Sequence, residues 1–381
     1  MTTATTTSRA PLLETYARTD ITFVRGDGAW LEDGEGRRYL DLVGGIAVVG
    51  LGHRHPAPLA AAHAQLDKLW HVSNLYWTEP MVQLAELLSE RFGGADAFFC
   101  NSGAEAVESA IKYARKATAK TEIVALENSF HGRTLGALSV TGQPAKRVSF
   151  EPLVPGVTFA KLNDSASLAA SVDDETACIL IEPVQGEGGI HPARAEFLAR
   201  ARDLADEHGA LLVFDEVQTG VGRTGSFFAW ERLGTKPDVV TLAKGLANGL
   251  PIGALLVADE LADAFEPGDH ASTFGGNPVA CAAACAVVET VDDALLADVV
   301  HLSEGLANRL ERLPGAVEVR GLGLLLGLEI DRVARDVIAA CAEKGVLVGS
   351  AGERVLRLTP PLTINDEELD HGLTVLEEVL A

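Results

Sequence analysis

The sequence predicts an α/β fold with a mostly parallel β-sheet covered by helices on both faces, followed by a smaller α+β unit. Short apolar runs alternate with helical patterns over residues 56–277, and runs of this kind are typical of strands buried on both faces. After Pro278 the pattern changes to helices with a few strands. We therefore predict an N-terminal segment over 1–55 that packs with the small unit, a large α/β domain over 56–277 and a small α+β domain over 278–381.

The individual elements follow from these patterns in chain order. Turn dipeptides at 27–28 and 33–34 separate short apolar pairs, which predicts short strands in the N-terminal segment. Six apolar runs are expected to form the large sheet: 97–100, 123–127, 178–182, 211–215, 239–242 and 253–258. The C-terminal unit is expected to hold an Ala-rich helix from 278, an amphipathic helix near 302–313, strands within 317–330, a helix at 333–344 and a last helix from 366.

Composition and charge exclude several classes of protein. The 381 residues are 47% hydrophobic and 22% charged, which excludes a wholly disordered chain. Lys and Arg total 31 against 54 Asp and Glu, so the net charge is −23. Because an acidic body repels phosphate backbones and anionic lipids, we expect neither a nucleic acid nor a membrane as partner.

Two features predict a cytoplasmic location. The chain has five cysteines, an odd number, and no CxxC motif, so we expect reduced thiols in the interior and not a set of disulfides. The first residues, MTTATTTSRAP, lack the basic region and apolar stretch of a secretory signal and are expected to form a polar tail.

The glycine-rich stretch at 321–327 imitates a dinucleotide-binding fingerprint. Its last glycine is one position too late for GxGxxG, and strand-like residues follow where a helix would be needed. We therefore predict a bend between two strands here.

Three polar motifs follow predicted strands. NSGAEA at 101–106 opens a helix, whose free N–H groups suit a phosphate, although its Ser and Glu also fit a simple capping box. SFHGRT at 129–134 offers an aromatic ring for stacking and an arginine for a carboxylate, unless the arginine is incidental. EPVQGEGG at 182–189 carries two carboxylates but no His or third acid at ligand spacing, so we expect no metal.

Two charged residues follow buried strands. Asp215 comes after four apolar residues, where a carboxylate needs a cationic partner such as a protonated ring nitrogen. Lys244 follows the run 239–242, where burial would free its amine to attack an aldehyde; the alternative is a lysine that extends to solvent. A phosphate cradle, a stacking ring, an acid and an amine together indicate one ligand, pyridoxal 5'-phosphate.

Six motifs together resemble the class III pyridoxal-phosphate-dependent aminotransferases of fold type I, and the resemblance covers nearly the whole chain. They are NSGAEA, SFHGRT, EPVQGEGG, DEVQTGVGRTG, LAKGLANGLPIGA and STFGGNP. The resemblance implies a fold type I transferase with a seven-stranded type of sheet, and a homodimer with shared active sites.

The stretches at 15–56 and 71–80 are most similar to family members that transfer the terminal amine of N2-acetyl-L-ornithine to 2-oxoglutarate, giving N-acetyl-L-glutamate 5-semialdehyde and L-glutamate, in arginine biosynthesis. Alternatives are another ω-amine substrate (ornithine, succinylornithine or 4-aminobutyrate), an aminomutase reaction on the same fold, or a binding protein that has lost activity.

The resemblance also implies roles for the matching residues. Lys244 would bind the cofactor aldehyde and move protons, and Asp215 would keep the ring nitrogen protonated. Further cofactor contacts are implied for Ser102, Gly103, Ala104, Phe130 and Gln218, and for Thr273 toward the phosphate held by the partner subunit. Substrate contacts are implied for Arg133, Ser272 and Arg357, with Glu187 as a switch that neutralises Arg357.

Overall fold

A computed structural model describes residues 11–381, so the polar tail predicted at the start lies outside the described residues. The strands are β1 (Phe23–Asp27), β2 (Trp30–Asp33), β3 (Arg38–Asp41), β4 (Ala95–Cys100), β5 (Glu122–Leu126), β6 (Val157–Ala160), β7 (Thr176–Ile181), β8 (Val184–Gln185), β9 (His191–Pro192), β10 (Leu211–Asp215), β11 (Val239–Leu242), β12 (Gly253–Ala258), β13 (Ala316–Leu322), β14 (Leu325–Ile330), β15 (Val346–Leu347), β16 (Gly349–Ser350) and β17 (Val355–Leu358). The helices are α1 (Gly44–Ala47), α2 (Pro56–Leu66), α3 (Glu79–Phe92), α4 (Gly103–Thr118), α5 (Leu135–Ser139), α6 (Pro144–Arg147), α7 (Ser165–Ser171), α8 (Ala195–His208), α9 (Ala229–Leu233), α10 (Pro278–Thr290), α11 (Asp293–Leu310), α12 (Ala334–Glu343) and α13 (Asp366–Leu380).

A seven-stranded sheet forms the centre of the large unit, in the order β4-β12-β11-β10-β7-β5-β6. Only β12 runs antiparallel to its neighbours, so the predicted mostly parallel sheet is confirmed. The six predicted runs are β4, β5, β7, β10, β11 and β12, and the last three have the predicted ends. The edge strand β6 was missed because it is only partly buried and so lacks the continuous apolar run of a central strand.

Two apolar cores lie on opposite faces of this sheet. In β10, Leu212 and Phe214 belong to one core, whereas Leu211 and Val213 belong to the other. Successive side chains of a strand point to opposite faces, so a strand between two cores must be apolar throughout. Helix α10 packs its buried face into the first of these cores, against α2 and α3. Where the domains divide remains a prediction.

The C-terminal part of the chain builds a second sheet, in the order β13-β14-β17-β16. The three N-terminal strands form a further sheet with β15, in the order β1-β2-β3-β15, and share an apolar core with this part of the chain. The turn at 323–324 joins β13 to β14, which confirms the predicted bend and excludes a nucleotide-binding helix there.

Four of the parallel strands, β5, β7, β10 and β11, end at the same edge of the large sheet, where open α/β sheets bind ligands. All five cysteines are buried and unpaired, as predicted. In the described part of the chain, no helix combines the length and apolar character that crossing a bilayer requires.

Candidate active site

A cavity of about 320 Å³ opens at this edge of the large sheet. It is lined by loops that follow β4, β5, β7, β10 and β11. Seven of the residues singled out in the sequence line it together: Ser102, Gly103, Ala104, Phe130, Asp215, Gln218 and Lys244.

The N-terminus of α4 forms one wall of the cavity. Ser102 precedes the helix in an extended conformation, and its Oγ accepts the N–H of Glu105 at 3.2 Å. The N–H groups of Gly103 and Ala104 have no protein partner within residues 11–381. Gly103 packs so closely on Val217 that a Cβ there would lie 2.7 Å from Val217 Cγ1. The cap therefore leaves a close-fitting pair of donors, which suits a phosphate.

Three hydrogen bonds within the protein fix the Asp215 carboxylate. Its Oδ2 lies 2.6 Å from Nδ1 of the buried His131, and its Oδ1 accepts Thr241 Oγ1 and the Val217 N–H, each at 3.1 Å. Burial alone would lower the pKa of His131, but the Asp215 carboxylate outweighs it and raises the pKa. No role was predicted for His131 from the sequence. Its position next to Phe130, after a predicted strand, could have indicated that it lies in the site.

Lys244 lies two residues after the end of β11 in a left-handed conformation, with φ +46°. Such a conformation is uncommon for a residue with a side chain and tends to occur at functional sites. Burial is the main reason that the pKa of the Lys244 amine is lowered, and the Arg357 guanidinium adds to it, while Glu187 and acidic groups of the cavity oppose the shift. In the described chain no hydrogen bond or ion pair ends on its Nζ, so the amine is free to react.

This set of groups fits pyridoxal 5'-phosphate. Unpaired N–H groups at α4 suit its phosphate, the Asp215 carboxylate suits a protonated ring nitrogen, and the unpartnered Lys244 amine suits its aldehyde. Phe130 lines the same cavity and offers a face to an aromatic ring.

Arg357 and Glu187 form an ion pair beside the cavity. The buried guanidinium donates to the Glu187 carboxylate, and its Nη1 also lies 3.3 Å from Gln218 Oε1 and 3.4 Å from the Gly186 carbonyl. Burial would raise the pKa of Glu187, but the charge and hydrogen bond of Arg357 lower it overall. Glu187 therefore stays charged and neutralises the arginine.

Two cations lie over the ring of Phe130. Arg133 is exposed, with Cζ 5.5 Å from the ring centroid, and Lys146 Nζ is 5.4 Å from the same centroid. Lys146 was not predicted, because nothing in the local sequence marks it. Together they make this end of the site attractive to a carboxylate.

Ser272 and Thr273 lie outside this cavity. They line a second cavity of about 920 Å³, together with residues 73–77. Ser272 Oγ accepts a hydrogen bond from Asn101 Nδ2 at 3.2 Å, which places it beside the N-terminus of α4. The structure therefore brings Ser272 next to the candidate phosphate site of its own chain, but not Thr273.

Two buried carboxyl groups near the site were not assigned roles from the sequence. Glu182 lines the cavity and accepts the N–H groups of Phe130 and Gly186 at 2.9 and 3.2 Å. Glu216 faces away from the cavity and accepts the N–H groups of Ala229 and Trp230 at 2.7 and 3.1 Å, so it caps α9. Burial raises the pKa of each glutamate to about 7.

Replacing Glu216 by glutamine is expected to flatten the dependence of stability on pH. The folded pKa of about 7 lies above the ordinary value, so the folded chain binds more protons than the unfolded chain between about pH 4.5 and 7. The free energy of unfolding therefore falls as the pH rises through this window, by up to about 3 kcal/mol from this group. Urea unfolding of both proteins at about pH 5 and pH 7.5 measures the difference; equal pH slopes would contradict the assignment.

Comparisons with known proteins agree with the site. The fold and the cavity define a pyridoxal-phosphate-dependent transferase, and the family model "Aminotransferase class-III" matches residues 14–380. The chain is 48% identical to the acetylornithine aminotransferase of Aquifex aeolicus over 375 residues, which covers 97% of this chain and 99% of that relative.

Two solved structures are also similar. The N-acetylornithine aminotransferase of Stenotrophomonas maltophilia superposes with a TM-score of 0.84 at 37% identity, covering 96% of each chain. The ornithine aminotransferase of Toxoplasma gondii, which holds partly occupied PLP in its active site, has a TM-score of 0.92 at 32% identity and covers 97% of this chain and 91% of its own. The chain belongs to the class-III aminotransferases, which depend on pyridoxal 5'-phosphate. The predicted family, fold class, enzyme class and cofactor are thus confirmed.

Proposed function

We propose that this enzyme transfers the terminal amine of N2-acetyl-L-ornithine to 2-oxoglutarate, giving N-acetyl-L-glutamate 5-semialdehyde and L-glutamate. The observation that carries the proposal is the Glu187–Arg357 pair, because a neutralised arginine lets one cavity accept both an uncharged chain end and a carboxylate. The acetylated substrate is supported by relatives such as those of Aquifex aeolicus and Mycolicibacterium smegmatis, 48% and 49% identical and described as acetylornithine aminotransferases.

The residues of the cavity divide the chemistry among them. When bound, the cofactor supplies an aldehyde that captures the amine and a protonated ring that withdraws electrons from the reacting carbon. Lys244 Nζ takes a proton from that carbon and returns it, which its lowered pKa favours. Asp215, oriented by His131 and Thr241, holds the proton on the ring nitrogen.

Other residues would hold the cofactor in place. The N–H groups of Gly103 and Ala104, with Ser102, bind the phosphate, and Phe130 packs on one face of the ring. Gln218, which lines the cavity and lies within 3.3 Å of Arg357 Nη1, would contact the ring hydroxyl.

Two arginines would bind the substrate carboxylates. Arg133 binds the carboxylate of N2-acetyl-L-ornithine and the distal carboxylate of glutamate. A substrate contact is proposed for Ser272 as well, which lies beside the N-terminus of α4. Arg357 binds the α-carboxylate of glutamate after Glu187 has moved aside. While the ω-amine reacts, Glu187 stays on Arg357, because an unpaired guanidinium beside an uncharged chain would be unfavourable.

The proposal includes a homodimer with shared active sites. Exposed large apolar side chains lie on two segments that touch each other: Trp70, Leu75, Tyr76, Trp77 and Phe274. Asn74 Nδ2 joins the segments by donating to the carbonyls of Ser272 and Gly275 at 2.9 and 2.8 Å. Exposed apolar patches of this kind are typical of protein interfaces, so we propose that a second copy covers this one. The free thiols favour a cytoplasmic location.

Replacing Thr273 by alanine is expected to weaken cofactor binding by about tenfold, because the hydroxyl would donate to the phosphate held by the partner subunit. Titration of the apo-enzyme with pyridoxal 5'-phosphate gives the Kd. Thr374→Ala is the matched control, since that hydroxyl bonds within α13 to the Asp370 carbonyl and should leave the Kd unchanged. An unchanged Kd in the Thr273 variant would mean that the contact across the interface does not exist.

The substrate is tested with a panel of amines at saturating 2-oxoglutarate. We expect the highest kcat/KM for N2-acetyl-L-ornithine, above ornithine, succinylornithine and 4-aminobutyrate. A tenfold preference for free ornithine would overturn the proposed specificity. Omitting 2-oxoglutarate should stop the reaction after one amine per site, whereas continued turnover would indicate an aminomutase.

A further inference from the structure

Arg223 is a buried arginine with no carboxylate partner in the described part of the chain. Its Nη1 donates to two backbone carbonyls, that of Leu324 at 3.0 Å and that of Pro360 at 2.5 Å. Burial lowers the pKa of this guanidinium to about 9. A buried charge satisfied only by carbonyls is unfavourable, so its position calls for an explanation beyond local stability.

The two carbonyls lie at the ends of β17, which carries Arg357, and of its neighbour β14. Leu324 immediately precedes β14, and Pro360 lies three residues after Arg357, just beyond the end of β17. β14 and β17 are hydrogen-bonded neighbours, in a register that places Gly327 opposite Arg357. The Arg223 guanidinium therefore bonds next to both β14 and β17 at the same end of the pair. This end lies close to Arg357, the residue proposed to bind a substrate carboxylate.

The loop that carries Arg223 also carries Gln218, which lines the candidate cofactor cavity. Arg223 lies five residues after Gln218, in the loop that follows β10. The Leu324 N–H donates back to the Arg223 carbonyl at 3.0 Å. Gly323 has φ +58°, and a Cβ there would lie 2.4 Å from the carbonyl carbon of Thr224. Only glycine allows this close contact. The requirement explains why Gly323 stands in the stretch 321–327, which imitates a nucleotide-binding motif.

We propose that Arg223 is a positioning residue that fixes Arg357 against the cofactor-binding loop and thereby sets the affinity for the α-carboxylate of glutamate. The contacts from Arg357 to Gln218 and Gly186 are already 3.3 and 3.4 Å long, so a small shift of β17 breaks them. The choice of glutamate as the ligand of Arg357 rests on the proposed function; the position of Arg357 does not.

The test compares Arg223→Gln and Arg223→Lys with a matched control, all as holoenzymes. Arg232→Gln is the control, because Arg232 Nη1 donates to the Thr224 carbonyl of the same loop at 2.6 Å and makes no hydrogen bond to β14 or β17. Arg223→Lys keeps the charge but replaces the planar guanidinium by a single ammonium group, and it serves if the glutamine variant does not fold.

In the Arg223 variants we expect KM for glutamate to rise at least tenfold, while kcat/KM for the half-reaction with N2-acetyl-L-ornithine changes less than threefold. Crystal structures of the variants should show Arg357 displaced from Gln218; the Arg232 control should match the wild type in all respects. If Arg357 keeps its place, or if both half-reactions fall equally, Arg223 has no positioning role. A wild type that prefers another ω-amine would overturn the proposed substrate, and the glutamate comparison and the crystal structures would still decide the role of Arg223.

Discussion

Replacing Lys244 by alanine is expected to lower transamination by about 10⁴-fold or more, because the variant loses both the amine that attacks the aldehyde and the base that moves the proton. No other amine lines the cavity within the described residues. The cofactor should still bind without a covalent link, since its other contacts come from α4, Phe130 and Asp215. Glutamate formation in a coupled assay gives the turnover, and the absorbance of the dialysed protein gives the bound cofactor.

The Lys244→Arg variant separates the loss of the reactive amine from the loss of its positive charge. The arginine keeps a positive charge next to Glu187 and Asp215, but it cannot act as the amine or the base. We expect both variants to be inactive. Turnover within tenfold of the wild type in Lys244→Ala would show that the proton is moved by another group.

Replacing Asp215 by asparagine is expected to lower kcat by about 10³-fold. A unit charge about 4 Å away, at an effective dielectric constant near 20, contributes about 4 kcal/mol to keeping the ring nitrogen protonated. The amide has nearly the same shape, so Thr241 and the Val217 N–H can keep their contacts. Its NH₂ group would meet His131 Nδ1, and the ion pair there would be lost. Steady-state kinetics and the cofactor spectrum measure the effect.

The neighbouring carboxyl group provides the control for Asp215. Glu216→Gln changes a residue that is equally buried and adjacent in sequence, but its side chain caps α9 and does not line the cavity. We expect this variant to change the free energy of unfolding and to keep kcat within threefold. Equal losses of kcat in the two variants would mean that Asp215 acts through the fold and not through the cofactor.

The strands of the large sheet were predictable because their burial on both faces leaves a mark in each local sequence. Strands between two cores must be apolar on both faces, so β10, β11 and β12 could be located from their sequences alone. The edge strand β6 lacks that constraint and was missed. Helix α10 could be predicted as a helix from its Ala-rich sequence, but its packing against α2 and α3 in the core of the large unit could not.

The candidate site was predictable where each residue follows a strand. Lys244 and Asp215 were found because a charge at the end of a buried strand is unusual, and the fold brings them into one cavity. Contacts between different elements were not found: His131 with Asp215, Lys146 with the ring of Phe130, and Arg223 with the Pro360 carbonyl. Their roles depend on distances between segments far apart in sequence, which no local pattern encodes.

The buried thiols have a practical consequence for chemical labelling. Burial raises the pKa of every cysteine, to about 11 for Cys341 and to about 12 for Cys100, so almost no thiolate forms at neutral pH. Maleimide reagents react with the thiolate and should leave the folded protein unmodified. A single cysteine engineered on the exposed surface of α13 would then carry a fluorophore at one known place, where its emission tests whether the surroundings of this helix change when a dicarboxylate binds.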